Sequence, residues 1–185
     1  RLAFFGVLFF LAPWSVVAFP LLMGAVLIER GYRLSDSLLY IGLSLFGPVI
    51  GSIAAAFWLD RVPRRTALVV FGLGMVLAAA GFLAAGNPAS VIATSFAFSL
   101  VALLYVPTLS IYAAESFPTA MRARTSTFTW ALNRFASALA PLVLLPVMRT
   151  WGIPAMLSVM IAALLAGIAL TLVGASRQEP RVSVE

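Results

Sequence analysis

The chain contains no cysteine, no histidine and no lysine in its 185 residues. Without cysteine there is no disulfide, no thiol nucleophile and no iron–sulfur ligand. Without histidine there is no histidine–zinc site and no imidazole for acid–base catalysis. Charge of either sign is scarce: 10% of the residues are charged, against about 25% in a typical soluble domain. The six carboxylates, Glu29, Asp36, Asp60, Glu115, Glu179 and Glu185, all fall between or beyond the long apolar runs. Few catalytic arrangements survive these absences, and an enzyme is not expected.

What is present is apolar. Hydrophobic residues make up 63% of the chain, and the mean hydropathy is +1.09. The pattern divides into six runs, each close to the ~20 residues that cross ~30 Å of hydrocarbon. They lie at Leu2 to Ile28, Leu38 to Leu59, Thr66 to Ala85, Ser90 to Tyr112, Ser126 to Met148, and Pro154 to Gly174. The first begins at Arg1-Leu2 with no initiator methionine and no small-residue cleavage site. It exceeds the length of a signal-peptide core and reads as a true span, and the chain is expected to be part of a longer one. The fold class is therefore all-α and polytopic. Residues 1–174 form a six-helix transmembrane bundle, and residues 175–185 a tail with no apolar content to bury, expected to be disordered in the cytoplasm.

A net charge of +6 and a pI near 11.1 would point to nucleic acid in a soluble protein. Here all 12 basic residues are arginines, and most sit in short loops beside the spans, which is the positive-inside pattern. No nucleic-acid partner is expected. One side carries Arg1, Arg61, Arg64, Arg65, Arg122, Arg124, Arg177 and Arg181; the other carries Arg30, Arg33 and Arg149. That asymmetry places both termini in the cytoplasm of a plasma membrane.

The spans differ from one another. The first, second, fourth and fifth hold Pro13, Pro20, Pro48, Pro107 and Pro141 and most of the polar side chains. A proline at membrane depth frees a backbone carbonyl, tolerated where a neighbour or a cavity satisfies it. The expected architecture is four spans lining something and two facing lipid, split three plus three as an inverted repeat. Gly47 and Gly51 in the second span have the spacing of a close helix contact.

Helical spacing selects one stripe on the fifth span. Trp130, Asn133, Arg134, Ser137 and Pro141 stand at i, i+3, i+4, i+7 and i+11 and share a face. Arg134 lies about two and a half turns inside the span, or ~15 Å, where an arginine costs at least ~2.5 kcal/mol and should face protein or water. It reads as a contact for an anionic ligand, as part of a gate, or as an ion-pair partner of Glu115. On the fourth span Tyr105, Thr108, Tyr112 and Glu115 share a face, able to line a pathway or to bond neighbouring helices. Trp14 and Ser15 lie at mid-depth beside Pro13, where a binding site or simple packing would place them.

Two loop segments carry a family resemblance. Ala56-Phe57-Trp58-Leu59-Asp60-Arg61-Val62-Pro63-Arg64-Arg65 resembles the G-x-x-x-D-R-x-G-R-R loop of the major facilitator superfamily, with Ala56 and Pro63 in place of the glycines. Glu115-Ser116-Phe117-Pro118-Thr119-Ala120-Met121-Arg122-Ala123 resembles the E-x-F-P-T-x-x-R-A segment of its metabolite and organic-ion symporters and sugar porters. Asn133-Arg134 stands where relatives often carry Gly-Arg.

The resemblance implies the C-terminal six-span half of a twelve-helix secondary transporter in a bacterial inner membrane. Its partners would be the lipid bilayer, the N-terminal six-span half and a small-molecule substrate, with no cofactor and no metal. The substrate would be an organic ion or aromatic acid, with a sugar as the alternative. Trp14, Tyr105, Thr108, Trp130, Asn133, Arg134 and Ser137 would line the substrate pathway. Asp60, Arg61, Arg64, Arg65, Glu115 and Arg122 would form a cytoplasmic charge network that breaks as the halves rock. Any proton-coupling carboxylate would have to lie on the other half. A reading of another class is a self-standing six-span channel or structural membrane module.

Overall fold

Long uncharged runs of Leu, Ala, Val and Phe leave the backbone to satisfy its own hydrogen bonds, and in hydrocarbon a helix does this within one segment. The computed structural model describes residues 1–44, 46–58 and 62–175. Among these, all regular structure is helical: α1 (Leu2–Leu11), α2 (Pro13–Val16), α3 (Ala18–Glu29), α4 (Leu34–Ser44), α5 (Phe46–Trp58), α6 (Arg64–Ala84), α7 (Pro88–Glu115) and α8 (Thr119–Ala175). Among the described residues, four segments are long and apolar enough to cross a membrane: Leu2–Glu29, Arg64–Ala84, Pro88–Glu115 and Thr119–Gly174. The Leu38–Ile53 region is a shorter apolar helix.

The ends of these helices follow from local chemistry. α3 closes in a Schellman turn: Gly31 takes φ +86, Tyr32 N donates to Leu27 O at 3.1 Å and Gly31 N to Ile28 O at 2.9 Å, a geometry only glycine enters without strain. α7 opens with a capping box, in which the Asn87 side chain accepts from Ser90 N at 2.8 Å and Pro88 sits in the first turn. α8 is two arms broken at Gly152, whose φ of +84 and ψ of 174 lie outside the helical region. The proline two residues on, Pro154, lacks an N–H, so the second arm starts there at no further loss. α8 begins seven residues before the expected fifth span, because Thr119 to Thr125 continue the helix beyond the apolar run.

α6 packs on α7 and on α8, α1 on α8, and α5 on α7. Lipid offers no hydrophobic force between helices, so close packing and buried hydrogen bonds hold them. Gly47 approaches the α7 backbone so closely that a Cβ there would lie 2.8 Å from Phe96 O and 3.0 Å from Leu100 N. Phe19 stacks on Phe98 with ring centroids 4.0 Å apart and meets Phe82 edge-on at 5.1 Å. Buried Ser15 donates to Met160 O at 2.6 Å, joining α2 to the second arm of α8.

Arg30 reaches from the end of α3 to the end of α6. Its guanidinium donates to Ala85 O at 3.2 Å, Phe82 O at 3.1 Å and Leu83 O at 3.3 Å, and its Cζ lies 4.8 Å from the Phe82 ring centroid. It supplies donors and positive charge where the last carbonyls of α6 lack both. The outward surface carries many large apolar side chains, as suits a face toward lipid: Leu77 is 72% exposed, Leu142 70%, Val173 64% and Phe135 62%.

Candidate functional site

Pro13 lacks an N–H, so the carbonyl of Phe9 loses its helical partner. Asn133 Nδ2 donates to that carbonyl at 3.0 Å, across 124 residues of sequence. Asn133 thus closes the gap that Pro13 opens, and in doing so fixes the first arm of α8 against α1. Phe9 also meets Trp130 edge-on, with centroids 5.7 Å apart. Asn133→Leu is expected to destabilise the protein by about 1–3 kcal/mol, the cost of an unpaired buried acceptor. Pro13→Ala should recover more stability in the Asn133→Leu background than in wild type, since the restored N–H then has an empty acceptor to fill. Thermal unfolding of the four proteins of this cycle is the check; equal effects of Pro13→Ala in both backgrounds would refute the coupling.

On the neighbouring face of the same arm, Arg134 is exposed, its guanidinium carbon 5.8 Å from the Trp130 ring centroid. It lies fifteen residues past Thr119, about 22 Å along the helix at 1.5 Å per residue. Among the described residues no carboxylate pairs with it. Ser137 donates to Asn133 O at 2.8 Å. The arm therefore presents two faces outward. One is polar, with Ser126 and Arg134 exposed and Trp130 and Ser137 half-buried; the other is apolar, with Phe128, Phe135 and Leu142.

The other pathway residues come from other helices, Trp14 from α2 and Tyr105 and Thr108 from α7. Tyr105 is 4% exposed; a Cβ on Gly167 would be 3.6 Å from its hydroxyl and one on Gly72 4.0 Å from its ring. Its site is thus the contact between α6, α7 and the second arm of α8. Thr108 is fully buried and donates to Leu104 O at 2.7 Å. Trp14 shares a face with exposed Val7, Val17 and Leu21, about 160° around the helix from Val16. Its ring lies 6.3 Å from Phe10, and its indole N–H is buried without an acceptor among the described residues.

The charged end holds Arg64, whose Nε lies 3.4 Å from Glu115 Oε1, with side-chain exposures of 19% and 54%. Arg65 donates to Leu172 O at 2.8 Å and Arg122 to Phe117 O at 3.1 Å. These arginines thus tie α6 to α7, α6 to the end of α8, and the start of α8 to the preceding turn. Glu115 takes Arg64 as its partner, and the pairing with Arg134 considered from the sequence does not form. Asp60, Arg61 and the tail from 176 onward lie outside the described residues. Beside this end is a cavity of about 30 Å³ lined by Phe9, Ser110, Arg122, Thr125, Thr129 and Trp130 among others, room for a single water. No three carboxylate, histidine or cysteine side chains converge among the described residues.

Sequence reading missed a larger cavity, of about 290 Å³, lined by Val16, Pro20, Pro48, Phe98, Leu103 and Val106 among others. Its signal was present in the prolines of different spans, but nothing in one dimension shows that they meet. Arg30 was counted only as a loop charge for the same reason.

The family model described as Major Facilitator Superfamily matches residues 1–141. An Escherichia coli (strain K12) protein with the provisional name of a metabolite transport protein, YdjK, is 25% identical over 148 residues, 77% of this chain and 32% of its own length. A Bacillus subtilis (strain 168) protein with the provisional name of a niacin/nicotinamide transporter, NiaP, is 25% identical over 138 residues, 75% of this chain and 34% of its own. The chain spans about a third of the length of these curated relatives.

Proposed function

The chain belongs to the Major Facilitator Superfamily, and on that footing we propose that it forms the C-terminal six-span half of a secondary active transporter for a small organic anion or aromatic acid. The six crossings are the Leu2–Glu29 segment, the α4–α5 region, α6, α7 and the two arms of α8, arranged three plus three. Both termini lie in the cytoplasm of a bacterial inner membrane, a reading supported by the arginine asymmetry and by relatives from two bacteria.

The observation that carries the solute class is Arg134. It is a cationic side chain at mid-helix, exposed on a polar face, its guanidinium carbon 5.8 Å from the Trp130 ring centroid and without a carboxylate partner among the described residues. A fixed guanidinium beside an aromatic ring suits a carboxylate attached to a flat ring. The name of one relative, for niacin and nicotinamide, supports a flat aromatic ring, of which niacin is the acid form.

The Arg64–Glu115 pair is half open to solvent on its acidic side, so it contributes on the order of 0–1 kcal/mol. A contact that weak can form and break as two halves alternate. Together with Arg65, Arg122 and the neighbouring Asp60 and Arg61 it would hold one state closed on the cytoplasmic side, while the solute passes Arg134, Trp130, Asn133 and Ser137.

The test uses the full-length native protein in proteoliposomes. Labelled nicotinate is expected to accumulate in a saturable manner, with nicotinamide, its neutral analogue, at least about ten-fold slower. Uptake of glucose but not nicotinate would favour the sugar-porter reading, which shares the Glu115-to-Arg122 segment as its support. Non-saturating conductance would favour a channel.

A further inference from the structure

The first arm of α8 carries a furrow that the proposed pathway does not use. It measures about 270 Å³ and is lined by Pro141, Leu142, Leu145, Pro146 and Arg149, all of one helix. Pro141, Leu145 and Arg149 stand at i, i+4 and i+8 and form one ridge; Leu142 and Pro146 form the next. The furrow follows these ridges for about 12 Å, at 1.5 Å per residue. Its walls are apolar except at one end, where Arg149 stands. Leu142 is 70% exposed, and Pro146 and Arg149 are exposed as well.

Arg149 lies thirty residues past Thr119 and three before the break at Gly152, about 45 Å along the helix from its charged start. It directly follows the apolar run that ends at Met148, so it stands where hydrocarbon gives way to headgroups. Trp151, 73% exposed, is at the same level, as aromatic residues are at that boundary. Arg30, Arg65 and Arg122 each spend their guanidinium on a carbonyl. Arg149 does not: among the described residues it has neither a carboxylate nor a carbonyl partner. The hydroxyl of neighbouring Thr150 is committed to Pro146 O at 2.9 Å.

These features select the occupant. A furrow on a single helix cannot enclose a small solute, which needs most of its surface covered. A helix packed into it would leave Arg149 at a desolvated rim and in need of a carboxylate. A phospholipid with an anionic headgroup supplies both parts in one molecule. Its flexible acyl chain suits the furrow, and its phosphodiester suits the planar fork of a guanidinium.

We propose that this furrow is a binding site for an anionic phospholipid, one acyl chain lying along Leu142, Leu145 and the prolines and the phosphate on Arg149. The inference rests on α8 crossing the membrane, and not on the solute or the direction of transport.

The experiment titrates the full-length protein with phosphatidylglycerol or phosphatidylcholine of identical chains and counts bound lipids by native mass spectrometry. Arginines at the opposite end also attract anionic headgroups, so variants at the furrow isolate its share. Arg149→Gln should weaken one bound phosphatidylglycerol about ten-fold and leave phosphatidylcholine unchanged. Pro146→Trp and Leu142→Trp, both at exposed positions, each lay a ring in the furrow and should weaken both lipids. Glycerophosphoglycerol, the headgroup without chains, should not displace the lipid. Phosphatidylglycerol binding that Arg149→Gln leaves unchanged overturns the proposal: the anionic preference would then arise elsewhere, or the other half would cover the furrow. Displacement by the bare headgroup overturns it too, since the arginine would then hold any anion. So does unchanged binding of both lipids in the two tryptophan variants, which would leave no acyl chain in the furrow.

Discussion

Replacing Arg134 by Gln is expected to lower uptake of a carboxylate solute about 100-fold at subsaturating concentration, the equivalent of about 2.7 kcal/mol. A hydrogen bond to a charged group contributes roughly 1.5–3 kcal/mol once water is excluded. Arg134→Lys keeps the charge but loses the planar fork over Trp130, so an intermediate loss of about ten-fold is expected. Because the side chain is exposed and has no carboxylate partner among the described residues, neither change should lower the melting temperature appreciably. Initial rates of nicotinate uptake in proteoliposomes, with thermal unfolding as the control, separate the two effects. An Arg134→Gln protein that accumulates nicotinate at the wild-type rate would remove the arginine from the solute pathway and leave it a gate or a surface charge.

Gly47→Val is expected to prevent recovery of folded, monodisperse protein, and Gly47→Ala to cost about 1–3 kcal/mol. The atoms in the way are Phe96 O and Leu100 N, at 2.8 and 3.0 Å from an added Cβ. They belong to the backbone of α7 and cannot swing aside as a side-chain terminus can. Gly51, one turn further, would place its Cβ 3.0 Å from Leu100 O, so α5 rests on α7 along a full turn of small residues. Withdrawing α5 also moves Pro48, which lines the larger cavity. Gly42 is the control, since nothing lies within 4 Å of a Cβ there, and Gly42→Ala should be neutral or slightly stabilising. Unfolding temperatures in detergent decide the matter: a Gly47→Val protein that melts with wild type would mean the helices can part at no cost.

The spacing of Gly47 and Gly51 was readable as a close contact, although a generic one; which helix they touch was not. The same division holds for the stripe on α8. Periodicity placed Trp130, Asn133, Arg134 and Ser137 on one face, and the structure keeps them adjacent. It could not reveal that the Asn133 amide is occupied by the Phe9 carbonyl, 124 residues away. Nor could it reveal that Tyr105 packs between Gly72 and Gly167. Helical period reports which residues share a face, but the neighbour of each face is set by how helices close on one another.

By itself the sequence determined the helical class, the membrane as solvent and the family, because hydropathy, segment length and short charged loop motifs are local properties of the chain. Only the tertiary structure decided the rest: that the carbonyl freed by Pro13 finds a donor in Asn133, and that Pro20 and Pro48, from different helices, meet at one cavity. The reason is that a carbonyl is freed by a residue four positions along the same helix, whereas the group that satisfies it comes from another helix, placed there by packing that no local pattern encodes.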